Sequence, residues 1–142
     1  MPRLVCRIAG VALLAAGLAG FVSPTLLGLH LTPVHDIVHL LTGLVALYVG
    51  FAATLTAARI FCLVFGAAYL LLAVAGITMP GLVASMLGHA ALTSRELTPD
   101  NAVHAVLGAA LLVVGLGRRR PSCAPSEISP KALDAGGVKG AG

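Results

Sequence analysis

Side chains that could bind a cation or transfer a proton recur at matching positions in two segments of the chain. His35-Asp36-Ile37-Val38-His39 follows Leu31-Thr32-Pro33, and Asp100-Asn101-Ala102-Val103-His104 follows Leu97-Thr98-Pro99. Residues four apart lie on one face of a helix, so His35 and His39 can point at one target. Histidine ligands of zinc use the same spacing. The candidate polar cluster is therefore His35, Asp36, His39, Asn101 and His104.

This cluster could serve a structural role, or it could form a metal site. In the first, His39 and His104 form hydrogen bonds with Asp36, Asn101 and backbone groups, and so join two parts of a membrane protein. In the second, His35, His39 and His104 bind a metal ion, and Asp36 is a ligand or a partner of one.

A third interpretation places a haem between His39 and His104. Gly43 and Gly108 lie one turn further along each helix, where they would leave room for a flat ring. Glycine at such positions also lets helix backbones approach closely in a membrane. The residues that we expect to serve helix packing are Gly43, Ala46, Gly50, Gly66 and Gly108.

The elements that must position these residues are membrane helices. Of 142 residues, 58% are hydrophobic and 10% are charged, whereas a soluble domain has about 25% charged residues. Apolar runs at about 4–22, 34–55, 60–80 and 101–117 each approach the ~20 residues that cross ~30 Å of hydrocarbon. Since only a helix satisfies its backbone within one such segment, the sequence predicts an all-α protein with four transmembrane helices.

The chain also resembles itself at the start of the first and third runs. Arg59-Ile60-Phe61-Cys62 and Gly66 match Arg3-Leu4-Val5-Cys6 and Gly10 at identical spacing. We interpret this as two tandem, parallel two-helix repeats, related by an axis along the membrane normal. The basic start and apolar core of the first run would also suit a signal peptide. Its match to the internal third run favours a retained helix.

Lysine and arginine predict the orientation and the domain limits. Residues 1–117 form the membrane domain, and the Ser-, Pro- and Gly-rich segment 118–142 is predicted to be a disordered cytoplasmic tail. Arg118, Arg119 and Arg120 are expected to anchor it to anionic lipid. The positive-inside rule places both termini in the cytoplasm. The basic residues on that side are Arg3, Arg7, Arg59, Arg118, Arg119, Arg120, Lys131 and Lys139, and Arg95 lies opposite.

The two outward connections, at about 23–33 and 81–100, hold local signals. Thr32 and Thr98 each precede a proline, which predicts N-caps for the second and fourth membrane helices. Residues 82–92 are apolar but too short to span, so a buried or interfacial segment is expected.

Three motifs resemble a known family. They are His35-Asp36-x-x-His39-x-x-x-Gly43, Ala58-Arg59-Ile60 with Phe65-Gly66-x-x-Tyr69-x-x-x-Ala73, and Asn101-x-x-His104-x-x-x-Gly108. Over about residues 4–117 the chain is similar to bacterial four-helix membrane proteins catalogued as domain of unknown function 4383. The resemblance implies the four-helix architecture and a bacterial membrane, and it implies no activity.

The function that we expect from the sequence is structural or accessory, by helix contacts in the bacterial cytoplasmic membrane. The chain has no nucleophile elbow, phosphate loop or paired catalytic carboxylates, so we expect neither an enzyme nor a resident cofactor. The expected partners are membrane lipid and a second copy or another membrane protein. Nucleic acid is not expected, because the basic residues flank apolar segments. Metal or haem binding is the alternative, and a solute pathway in an oligomer is the third possibility.

Overall fold

The structure, a computed structural model, describes residues 1–25, 28–90 and 92–117. These residues contain no strand and form five helices. Four of the helices are long and apolar enough to cross a membrane, which confirms the predicted all-α fold. The predicted tail at 118–142, with Arg118, Arg119 and Arg120, lies outside the described residues. The helices are α1 (Pro2–Val22), α2 (Pro33–Phe51), α3 (Leu55–Thr78), α4 (Pro80–Met86) and α5 (Thr98–Leu116).

Threonine caps fix where α2 and α3 begin. The Thr32 hydroxyl accepts a hydrogen bond from the His35 N–H at 3.2 Å, so α2 begins as the sequence predicts. Thr54 accepts from the Ala57 N–H at 3.1 Å in the same way. This second cap places the α2–α3 turn at residues 52–54. The prediction from apolar length alone, which continued the second run to 55 and began the third at 60, was wrong here.

The predicted N-cap at Thr98 was also wrong. The cap position of α5 is Leu97, whose backbone is already helical, whereas a side-chain cap needs an extended backbone. The Thr98 hydroxyl instead donates to the Ser94 carbonyl at 3.1 Å. One turn earlier, Thr93 and Glu96 exchange hydrogen bonds in the manner of a capping box.

Glycines let α1 pack tightly on α2, and α3 on α5. A Cβ added at Gly43 would lie 3.0 Å from the Gly10 carbonyl oxygen, and one at Gly108 would lie 2.9 Å from the Gly66 carbonyl oxygen. These neighbours are backbone atoms, which cannot rotate away. The glycines therefore set the separation of the helices in two hairpins, α1–α2 and α3–α5, whose internal contacts far exceed those between them.

A polar side chain crosses each hairpin near the end that carries the histidines. A Cβ at Gly20 would overlap the Asp36 carboxylate, and one at Gly76 would overlap the Asn101 amide. Asp36 and Asn101 are both buried. Each hairpin thus holds its acidic or amide group against a glycine of the facing helix.

The two hairpins meet mainly through α1 and α3. The Sγ atoms of Cys6 and Cys62 lie 3.7 Å apart, and both residues are fully buried. Phe61, Tyr69 and Leu111 belong to the same apolar core. The core thus lies between the hairpins and extends from the cysteines towards the histidines.

Arginines satisfy helix carbonyls at the end of the bundle opposite the histidines. Arg7 Nε donates to the Gly50 carbonyl at 2.9 Å, and Arg3 donates to the Ala53 carbonyl. Arg59 donates to the carbonyls of Gly115 and Gly117. The last carbonyls of a helix have no partner within it, so these bonds cap α2 and α5 with positive charge.

Candidate metal centre

Three histidines converge between α2 and α5. His35 and His39 come from α2 and His104 from α5, and one ring nitrogen from each lies within 4.8 Å of the others. All three are buried, with exposed fractions of 2%, 7% and 4%. A tetrahedral zinc ion with bonds of about 2.0–2.1 Å holds its ligands about 3.3–3.4 Å apart. Side-chain rotations that move these nitrogens by about 1 Å would therefore complete three corners of such a site.

A small cavity lies among these rings. Its volume is about 20 Å³, and it is lined by the three histidines together with Asp100, Leu29, Leu31 and Val103. A cavity that holds one water molecule needs roughly 10–15 Å³. The space thus suits one small ion or one water molecule, with a carboxylate in its wall.

His35 is oriented as a metal ligand would be. Its Nδ1 lies 3.0 Å from the His30 carbonyl oxygen. Because a carbonyl only accepts, Nδ1 holds a proton, and in the neutral imidazole Nε2 then presents a lone pair. That Nε2 is buried and has no hydrogen-bond partner among the described residues. Histidines that bind metals are held by such a bond from the other nitrogen to a carbonyl or carboxylate.

The His30 carbonyl is itself held in place by α5. Asp100 accepts from the His30 N–H at 3.1 Å, and its Oδ2 lies 3.1 Å from His30 Nδ1. His89 Nε2 donates to the His30 carbonyl at 2.9 Å. The loop before α2 is thereby fastened to α5, so an α5 carboxylate fixes the group that orients the His35 ring.

The structure brings together only part of the predicted polar cluster. His35, His39 and His104 converge, whereas Asp36 lies against Gly20 and Asn101 against Gly76. Asp36 Oδ1, Asn101 Nδ2 and His39 Nδ1 have no partner among the described residues. These atoms therefore lack the hydrogen bonds that the structural interpretation assigned to them.

The space predicted for a haem ring is occupied. At Gly43 an added Cβ would meet Leu14 and the Gly10 backbone, and at Gly108 it would meet Leu70 and the Gly66 backbone. Both glycines thus face the other helix of their own hairpin. They allow close helix packing, and the room predicted beside them for a flat ring is filled by the facing helix.

The structure places four more residues in or beside the site, which helical spacing did not predict there. They are His30, His89, Asp100 and Tyr69, whose ring stacks on His104 with centroids 5.5 Å apart. One signal was present, since Asp100 occupies the position that matches His35. These contacts join residues 35–70 positions apart, a range at which helical spacing carries no information.

Comparison with known proteins gives a family. No curated protein and no solved structure matches the chain. The family model described as "Domain of unknown function (DUF4383)" matches residues 3–117. This range includes the whole histidine cluster and all five helices, except for Pro2 at the start of α1. The chain therefore belongs to the family described as Domain of unknown function (DUF4383).

Proposed function

We propose that this protein is a metal-binding membrane protein whose site is formed by His35, His39 and His104. The observation that carries the proposal is the state of His35. Its Nδ1 proton is committed to the His30 carbonyl, and its buried Nε2 has no partner beside two further imidazoles. A buried polar atom without a partner costs roughly 1–3 kcal/mol, and a bound cation would remove that cost.

The ligand set favours a transition metal. Imidazole suits zinc, copper, iron and nickel, whereas calcium and magnesium require oxygen ligands. Three neutral imidazoles leave the full charge of a divalent ion in a region of low dielectric. Asp100 lines the same cavity, and its carboxylate would offset part of that charge. We name zinc as the first candidate, with a fourth coordination position open, and the role as binding rather than catalysis.

The placement in the membrane forms part of the same proposal. Arg3, Arg7 and Arg59 lie at the bundle end opposite the histidines. With the positive-inside rule, this supports a multi-pass protein of the bacterial cytoplasmic membrane with both termini in the cytoplasm. The metal site then lies near the outer face. His39 is six residues into α2, or about 9 Å along its axis.

Internal duplication is also part of what we infer. Gly10 meets Gly43 as Gly66 meets Gly108, and Gly20 holds Asp36 as Gly76 holds Asn101. These pairs of contacts follow the sequence match between the two halves. They support a duplicated hairpin whose copies each contribute to the histidine site.

A second candidate is a purely structural role, and one observation favours it. The bonds among His30, Asp100 and His89 already join the outer ends of the two hairpins without any cation. The small residues predicted to serve helix packing, including Gly43, Ala46 and Gly50, are buried within this chain. A role through contacts with other proteins would therefore need a different surface.

The test is metal content with matched variants. Wild-type protein, His39→Ala and Val38→Ala are purified in mild detergent, exposed to zinc, dialysed and measured by elemental analysis. We expect about one zinc per chain in the wild type and in Val38→Ala, whose side chain is exposed beside the site, and far less in His39→Ala. Circular dichroism checks that all three fold. The metal proposal would be refuted if the wild-type protein held no zinc, or if His39→Ala held as much zinc as the wild type. If His39→Ala were less stable than the wild type when both are free of metal, the structural role would be favoured.

A further inference from the structure

A groove on the surface of the α3–α5 hairpin lies apart from the histidine site. Its volume is about 560 Å³, and none of its lining residues is a histidine. Pockets that bind small molecules measure about 300–1,000 Å³. One wall runs along α3 from Leu70 to Ile77, and the other runs along α5 from Thr98 to Ala105. Each wall is therefore about 10 Å long, since a helix rises about 1.5 Å per residue.

The polar and apolar parts of this groove are separated along its length. Ser94 and Arg95 lie at one end, in the loop before α5, and Thr98 begins that helix. The rest of the lining is apolar except for Asn101, whose amide packs against Gly76. The apolar residues are Leu70, Ala73, Val74, Ile77, Ala102 and Ala105. A molecule with a polar head and a hydrocarbon chain matches this arrangement.

Arg95 supplies a positive charge at the polar end of the groove. Its side chain is exposed and has no hydrogen-bond or ion-pair partner among the described residues. The carboxylate of the adjacent Glu96 accepts from the N–H and the hydroxyl of Thr93. Of the other two described carboxylates, Asp100 is bonded to the loop before α2, and Asp36 is buried. The guanidinium is therefore available to an anion from outside the chain.

The position of the groove favours a phospholipid as the source of that anion. Helices α3 and α5 are long and apolar enough to cross a membrane. In a bilayer their apolar walls face acyl chains, and the loop that carries Arg95 lies at the level of the headgroups. A guanidinium binds a phosphate through two parallel hydrogen bonds.

The charge of the groove distinguishes between headgroups. A zwitterionic headgroup brings its own cationic group close to the guanidinium of Arg95, whereas phosphatidylglycerol brings a net negative charge without one. None of the lining residues is an aspartate or glutamate that could bind the cationic group of a zwitterionic lipid. Charge complementarity therefore selects an anionic phospholipid.

We propose that an anionic phospholipid binds in this groove, with its phosphate at Arg95 and one acyl chain between α3 and α5. The site includes none of the histidines, so the inference does not depend on the proposed metal centre. It places a lipid site at the end of the bundle that carries the histidines, opposite Arg3, Arg7 and Arg59.

The experiment uses an introduced tryptophan, because the chain has none of its own. Val74→Trp places the fluorophore on the wall of the groove, and Leu18→Trp places it on the exposed surface of α1, outside the groove. Each protein is reconstituted in phosphatidylcholine vesicles that contain brominated phosphatidylglycerol or brominated phosphatidylcholine. Quenching of the tryptophan fluorescence then gives the relative binding constant of the two lipids.

We expect Val74→Trp to report a preference for phosphatidylglycerol of about fivefold or more. Arg95→Gln, added to Val74→Trp, is expected to abolish that preference, and Leu18→Trp is expected to show none. Equal quenching by the two lipids at Val74→Trp, or a preference that Arg95→Gln leaves unchanged, would overturn the proposal. Stronger quenching by a brominated fatty acid than by phosphatidylglycerol would assign the groove to a free carboxylate and would also overturn it.

A second readout leaves the wall of the groove unaltered. Native mass spectrometry counts the phosphatidylglycerol molecules that remain on the wild-type chain and on Arg95→Gln after both are exposed to the lipid in mild detergent. We expect Arg95→Gln to retain about one lipid fewer per chain. Equal retention by the two proteins would contradict a site at Arg95.

Discussion

The substitution Gly108→Ala is expected to separate α5 from α3. The added Cβ would lie 2.8 Å from the Leu70 backbone nitrogen and 2.9 Å from the Gly66 carbonyl oxygen. Ordinary contacts of a Cβ begin at 3.4 Å. The helices must therefore move apart by about 0.6 Å at this point, which is the difference between 3.4 and 2.8 Å, because neither backbone atom can rotate away.

The expected change in the free energy of unfolding has two opposing parts. Overpacking of a close contact costs about 1–3 kcal/mol. Alanine in place of glycine favours a helix by about 1 kcal/mol in water. This gain is smaller in a membrane, because an apolar segment stays helical there when tertiary contacts are lost. We expect a net loss of about 1–2 kcal/mol of unfolding free energy.

Gly81 supplies the control. A Cβ added there meets nothing within 4 Å, so Gly81→Ala is expected to be neutral or up to about 1 kcal/mol more stable. Two glycine-to-alanine substitutions in the same chain are thus predicted to change the free energy of unfolding in opposite directions, because only one of the added Cβ atoms meets close neighbours.

The assay follows the buried cysteines. Cys6 and Cys62 are fully buried at the contact between hairpins, so a thiol reagent labels them only when the hairpins separate. Labelling is measured in mixed micelles as the fraction of denaturing detergent rises, and the midpoints of the variants are compared. A Gly108→Ala protein at least as stable as the wild type would refute the packing argument.

Zinc is expected to dissociate as the pH falls, because protons compete with the cation for the imidazole nitrogens, and this is checked by dialysis at graded pH. In a chain with Cys6 and Cys62 changed to alanine, Cys123 should react with an impermeant thiol reagent only after cells are permeabilised; labelling of intact cells would contradict a cytoplasmic C-terminus. The Thr93 N–H and hydroxyl lower the pKa of Glu96, so this contact stabilises the loop above the ordinary carboxyl pKa and is lost as the pH falls through the lowered value. Thr93→Ala should raise the pKa of Glu96 in a carboxyl NMR titration, and an unchanged value would contradict the assignment.

Apolar length predicted the helices, and local spacing with the match between the two segments named the three histidines that converge. Runs of about 20 apolar residues gave the four long helices, because lipid allows no other backbone arrangement. The spacing of His35 and His39 predicted a shared face, and the structure has both rings in one group with His104. The α2–α3 turn was misplaced, since Thr54 lies in a continuous apolar background and its capping role depends on one local hydrogen bond.

The parts that the sequence could not predict are contacts between distant segments. Asp36 was grouped with the histidines because it is adjacent to His35, yet consecutive helical residues point in directions about 100° apart, and Asp36 contacts Gly20. The position of the His30 carbonyl depends on Asp100, which lies 70 residues further along the chain. Only the tertiary fold brings such groups together.

The position of the histidines gives a bound cation a consequence for the whole fold. Contacts within the hairpins α1–α2 and α3–α5 are extensive, whereas contacts between the hairpins are sparse. His35 and His39 belong to one hairpin and His104 to the other, so a cation held by all three would link the more weakly joined halves. A ligand present at 100 times its dissociation constant stabilises the state that binds it by about 2.7 kcal/mol. Metal binding at this site would therefore also determine how firmly the two hairpins are docked.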